Sequence, residues 1–269
     1  MKKLLYLSLG LSLFSCSSSD DTIEDTPSPI EHMEKAYVYC TDGIGAGPSP
    51  QDYYEFTYEN GNLTKVKGRF YPVFMQMFDR FFSEPITKLI YSDNTVRVRE
   101  FELGGIPGYD EYRYTMNNNR PVKQESYHVK NGTARSAVTD TKTYTYEQDK
   151  LKNVHWKLAG SGDYEYITTY YYDNNNNLTK SEYLERIKGV DNKMTTSIYS
   201  DFDTASNPFK KLFLINNTFF EKSLSVNNFR KKETTVVNLI DNIPPKTSTK
   251  IWNYKYDVNG QVLLYFPVP

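Results

Sequence analysis

Nucleophilic and metal chemistry have few side chains to draw on in this chain. Three histidines occur, His32, His128 and His155, and no two lie at metal-ligand spacing. His32 falls in a polar N-terminal stretch, so a histidine site would have to be assembled from His128 and His155. Nothing matches a nucleophile elbow, a phosphate-cradling glycine loop or an HExxH helix. Asp173-Asn174-Asn175-Asn176-Asn177 has the alternating oxygens of a calcium loop but lacks the sixth-position glycine and the distal glutamate, so it reads as a turn. Two carboxylates for glycoside hydrolysis can come from anywhere in a chain, which keeps a polysaccharide hydrolase open as an alternative. No catalytic residue, metal site or cofactor is predicted.

Binding chemistry is better supplied. The chain has 24 Tyr and 15 Phe against 2 Trp, and a tyrosine ring can stack on a sugar face while Asn and Asp in turns bond hydroxyls. Tyr53, Tyr71, Tyr109, Tyr164 and Tyr166 lie off the repeat described next and near loop entries; they are the predicted ligand contacts. Tyrosines at the repeat positions are expected to pack. With 32 basic and 33 acidic residues the formal net charge is -1, which carries no electrostatic footprint for nucleic acid.

The elements that must position these rings repeat along the chain. A unit of Tyr-x-Tyr, a polar turn, then Leu or Val with a lysine soon after is clearest at Phe56 to Lys65, Tyr144 to Lys152, Tyr170 to Lys180 and Tyr254 to Val262. Weaker copies run from Leu89 to Val96 and Tyr112 to Val122, and a degenerate one from Ile198 to Lys210. Alternate aromatics share one strand face, and Asn60-Gly61 and Asn259-Gly260 are hairpin-turn dipeptides. The spacing predicts an all-β antiparallel meander of about seven hairpins over 36–269, forming a strongly curled sheet or soluble barrel. Charges on alternating positions, at Lys88, Arg97, Arg99, Lys123, Glu125 and Lys180, argue against an apolar lipid-facing band. Phe74, Phe78, Phe81 and Phe82 stand at helical spacing and predict a short helix or plug between Phe70 and Phe82. Asn216 to Lys232 reads as a crossover. Tyr37-Val38-Tyr39 looks like a strand leading to Cys40, a buried small hydrophobe.

At the other end, Lys2 and Lys3 precede an apolar run from Leu4 to Phe14, the pattern of a secretory signal, and the run is too short to span a bilayer. Leu13-Phe14-Ser15-Cys16 resembles the lipobox of bacterial lipoproteins, which implies cleavage after residue 15 and acylation of Cys16, leaving Cys40 without a disulfide partner. Residues 16–35 form an acidic tether of about 20 to 25 Å reach. Its Ser17-Ser18-Ser19-Asp20-Asp21 start resembles the export tag of Bacteroidota-type surface lipoproteins, implying an outer-membrane and surface-exposed position; a solvated acidic linker is the alternative.

The hairpin units themselves resemble YD repeats, and more closely the variants of a Bacteroidota surface-lipoprotein family of unknown function described as having a porin-like fold. That resemblance covers roughly Tyr37 to Phe266, takes in Asn207-Pro208-Phe209-Lys210 and Ser225-Val226-Asn227-Asn228, and implies fold without activity. The predicted partners are the membrane, through the lipid, and a glycan or an envelope protein. Function is read as a binding module, with a structural envelope component as the alternative to it and to the hydrolase.

Overall fold

The repeat unit folds as a hairpin with a built-in irregularity. In the computed structural model, which describes residues 33–42, 51–72, 79–101, 108–130, 133–134, 137–160 and 163–266, the turn pairs Asn60-Gly61, Asn118-Asn119 and Gln148-Asp149 all have positive φ at both positions. This is the type I′ geometry whose twist matches that of the flanking strands. The returning strand then carries one extra residue, because Thr57 pairs with Lys65 while Tyr58 pairs with Leu63. Equivalent shifts leave Val122, Lys152 and Thr179 unpaired. The threonines at two of these bulges donate back across the hairpin, Thr64 to the Thr57 carbonyl at 3.3 Å and Thr179 to the Tyr171 carbonyl at 3.2 Å. A bulge bends and twists the strand that carries it, so the repeat encodes curvature as well as pairing.

The strands follow in chain order. They are β1 (Lys35–Tyr37), β2 (Tyr53–Glu59), β3 (Asn62–Pro72), β4 (Asp79–Ser92), β5 (Thr95–Phe101), β6 (Gly108–Asn117), β7 (Arg120–Lys130) and the short β8 (Thr133–Ala134). Then come β9 (Asp140–Glu147), β10 (Lys150–Leu158), β11 (Tyr164–Tyr172), β12 (Leu178–Ile187), β13 (Val190–Phe202), β14 (Phe229–Asn238) and β15 (Lys246–Ile251). Apart from β8, which pairs only with β7, they form one antiparallel meander in sequence order from β1 to β15. The final repeat copy makes a separate ribbon, β16 (Lys255–Tyr256) with β17 (Val262–Leu263). Helices α1 (Val38–Asp42) and α2 (Asn217–Ser223) complete the fold.

Four expectations are corrected. The sheet stays open, with β1 and β15 as its two edges, so the barrel alternative does not hold. Five repeat copies close tight hairpins within the main sheet; the degenerate sixth opens instead into the crossover from β13 to β14, and the seventh leaves the sheet. The predicted helix from Phe70 to Phe82 is strand at both ends, because Phe70 pairs with Phe81 and Arg69 with Phe82; residues 73–78, with Phe74 and Phe78, lie outside the described residues. Strand β1 stops at Tyr37, and Val38 to Cys40 turn into α1, where Cys40 is buried. Cys16 and the tether up to residue 32 also lie outside the described residues.

The actual plug is α2. Asn216 caps it by accepting from the Phe219 N–H at 2.9 Å. Phe219 meets Tyr54 and Phe56 of β2 and Phe209 of the crossover, while Phe220 faces Tyr144 of β9 and Tyr170 of β11. Rings from distant strands converge on one short helix only because the sheet curls around it. Gly68 permits the tightest bend: its φ is +100°, and a Cβ there would stand 2.5 Å from Phe81 Cζ. The two chain ends close this base, Tyr37 N–H donating to the Leu264 carbonyl at 2.8 Å and Trp252 Nε1 to the Thr41 carbonyl at 3.1 Å.

The repeat turns, the crossover and the terminal ribbon sit at one end of the strands; the opposite, loop end carries the other connections, among them the two-residue Lys188-Gly189 turn between β12 and β13. On the convex face, charges alternate across strands as Lys35–Glu55–Lys67 and Arg99–Glu111–Arg113.

Candidate functional site

Inward-facing positions of β5 to β14 that lie above α2 are not filled by the plug. They line a cavity of about 640 Å³ that runs from α2 toward the loop end. Its floor is Leu214 to Asn217, Phe220 and Glu221. One wall is aromatic: Trp156 of β10 lies opposite Tyr166 of β11 with ring centroids 4.7 Å apart, and Tyr183 of β12 stacks on Tyr166 at 5.6 Å. Lys142 of β9 flanks this stack, its Nζ 5.1 Å from the Trp156 ring.

Below the stack, toward α2, β11 to β14 continue the same wall as a field of hydroxyls. Ser181 pairs with the Tyr199 hydroxyl at 3.0 Å and Ser197 with Thr234 at 3.1 Å, while Thr168 and Thr195 also line the space. A buried relay joins two walls: Tyr144 donates to Gln124 Oε1, Gln124 Nε2 to Ser126, and Ser126 to Asp140, at 3.2, 3.0 and 2.8 Å. The carboxylates are engaged in the same way. Glu100 accepts from Arg69 at 2.5 Å, and burial pushes its pKa up against that attraction. Glu221 accepts from Lys232 at 2.6 Å. Such a surface, with stacked rings beside fixed donors and acceptors, is suited to holding a molecule that has apolar faces and hydroxyl edges.

Of the five tyrosines predicted as contacts, Tyr166 lines the cavity. Tyr164 is on the same strand two residues toward the loop end, and exposed. The other three stand elsewhere: Tyr53 packs edge-on to Tyr265 beneath Lys35, Tyr71 donates to the Phe101 carbonyl and is held by Arg69, and Tyr109 packs on Phe101 and Arg99. The structure therefore does not bring the five together. Trp156, Tyr183 and Lys142 were missed, because Tyr183 and Lys142 sit in strands where single residues carry no local signal; their cross-strand register alone unites them.

His128 and His155 are likewise separate. His128 Nδ1 is 2.9 Å from Asp110 and His155 Nε2 is 2.7 Å from Glu165, and their strand positions put them on opposite faces of the sheet. Asp173 accepts from the Asn175 and Asn177 N–H groups, closing the turn expected there.

A second polar feature is buried in the base. Lys222 Nζ lies 4.1 Å from the Trp252 ring, 4.6 Å from Phe229 and 5.0 Å from Phe209, and donates to the Tyr254 hydroxyl at 2.6 Å. Burial pushes its pKa down to about 7, against the attraction of Asp42 and Glu221.

No protein-family model matches the sequence, and no curated protein matches it. Among solved structures, a porin-like protein from Bacteroides vulgatus is similar at 10% identity and a TM-score of 0.49, over 78% of this chain and 84% of that one. A porin-like protein from Bacteroides uniformis is similar at 17% identity and a TM-score of 0.44, over 78% of this chain and 79% of that one.

Proposed function

We propose that the protein is an envelope lipoprotein of the outer membrane, held by a lipid on Cys16 and exposed at the cell surface, whose curled sheet binds a glycan in its cavity. The observation that carries the binding reading is the Trp156–Tyr166–Tyr183 stack, continued toward α2 by serine and threonine hydroxyls of β11 to β14, in the lining of a space of about 640 Å³. Sugar rings present the same division, apolar on their faces and hydroxylated at their edges. Tyrosines at the repeat positions have a different job: Tyr114, Tyr144, Tyr170 and Tyr199 are buried in the core.

The charge pairs on the convex face support attachment through the lipid in place of insertion. A lysine or arginine facing lipid at the bilayer midplane costs about 2 to 4 kcal/mol, and this face carries several. The lumen carboxylates are each tied to a neighbour, which favours binding over the hydrolase alternative.

A glycan array probed with the full chain in detergent tests the reading. We expect binding to a restricted set of oligosaccharides, weakened at least tenfold by Trp156→Ala and by Tyr183→Ala. Absence of binding across the array, or binding indifferent to both substitutions, would overturn it.

A further inference from the structure

We infer that the ligand of the cavity is acidic and seats an anionic oxygen group, carboxylate or sulfate, against Lys142 and Trp156. This rests on the glycan reading of the same cavity and names its substrate class.

Lys142 and Trp156 are direct cross-strand partners on β9 and β10, so their side chains stand side by side on the cavity wall. Trp156 Nε1 is buried and has no hydrogen-bond partner. Among the described residues no carboxylate comes within ion-pairing distance of the Lys142 ammonium, whose close neighbour is the Trp156 ring. Leaving one buried donor unmade costs about 1 to 3 kcal/mol, and folded proteins rarely carry such a group without a reason. Beside it on the cavity wall stands the Lys142 ammonium, half-buried and without an ion-pair partner among the described residues.

The carboxylates of the cavity are engaged with other partners. Glu100 is held by Arg69, Glu221 by Lys232, and Asp140 accepts from Ser126. Asp140 alone attracts the Lys142 charge, and burial lowers the Lys142 pKa in spite of it. No described residue supplies the pair with an acceptor, and we assign that acceptor to the ligand. An oxyanion is the group an ammonium and an indole N–H can share, with charge-assisted bonds stronger than neutral ones. With the sugar face on Tyr166 and Tyr183, a uronate or a sulfated sugar places such a group within reach of Lys142.

The experiment uses an array of uronate, sulfated and neutral oligosaccharides, followed by titration of each acidic binder beside its uncharged parent, the methyl ester for a uronate or the desulfated sugar for a sulfate. The full chain should bind at least one acidic member ten times or more tighter than its parent, and which pair responds identifies carboxylate or sulfate. Lys142→Gln should bring that ratio to about one, and Trp156→Phe, which keeps a ring but removes the N–H, should reduce it; thermal melts verify that both variants fold. Equal binding of acidic and uncharged partners, or a preference that survives Lys142→Gln, overturns this inference and leaves the glycan reading standing. An array with no binder overturns both.

Discussion

Lys222 shows what one enclosed side chain imposes. Its ammonium sits among Phe209, Phe229, Trp252 and Tyr254, with Asp42, Glu221, Lys232 and Cys40 as the surrounding ionisable groups. The folded pKa of about 7 lies below the ordinary 10.5, so between those values the unfolded chain binds more protons, and stability rises with pH. The slope limit is about 1.4 kcal/mol per pH unit. From pH 7 to 8.5 wild type should gain about 1 to 2 kcal/mol relative to Lys222→Met in urea titrations, the ionisation of the Cys40 thiol in the unfolded chain being common to both proteins. Parallel pH dependence of the two proteins would show that the ammonium stays charged in its cage. Glu111 has the opposite sign: the hydrogen bonds from Arg113 and Arg99 hold its pKa below the ordinary 4.5. Its contribution is full above that value and fades as pH falls through the folded pKa, so Glu111→Gln should cost about 2 kcal/mol at neutral pH and progressively less in acid.

At the scale of elements, the plug and the bend are the vulnerable parts. Phe219 is fully buried between β2 and Phe209, and Phe219→Ala should cost about 3 to 5 kcal/mol by chemical denaturation. Gly68→Ala should cost about 3 kcal/mol, from positive φ and from the Cβ driven at Phe81; a neutral effect would mean that β3 rebends freely. These elements differ in how well the sequence exposes them. The hairpins are legible, because Tyr-x-Tyr and the turn residues act locally. The bulge is hidden in plain view: Leu63 and Val66 both face inward three residues apart, as do Leu151 and Val154, and an apolar spacing of three reads as broken alternation until the pairing is known. The phenylalanines between 70 and 82 mislead for the converse reason, helical spacing overridden by the pairing of Phe70 with Phe81. The crossover from Asn216 is legible as an interruption but not as a plug, since its destination is set by rings on three strands, β2, β9 and β11.

For the whole molecule, closure depends on the chain termini meeting at the base. Deleting residues 254–269 removes the Leu264 acceptor of Tyr37 and the Tyr254 partner of Lys222. That truncation should expose β1 as a free edge, seen as broadened unfolding and as aggregates in size-exclusion chromatography. Cys16→Ser should abolish palmitate labelling and release the protein from the membrane fraction; persistent labelling refutes the anchor. The described chain begins at the plugged end of the sheet. Glu34 pairs with Phe56, and the chain enters beside Tyr58, next to the Asn60-Gly61 turn. On the lipid proposal the tether joins the fold at its plugged base, with the loop ends of the strands about 30 Å farther along. The protein would stand like a cup on its foot, its rim turned toward the surroundings, and whatever it collects would arrive from the medium and not from the bilayer.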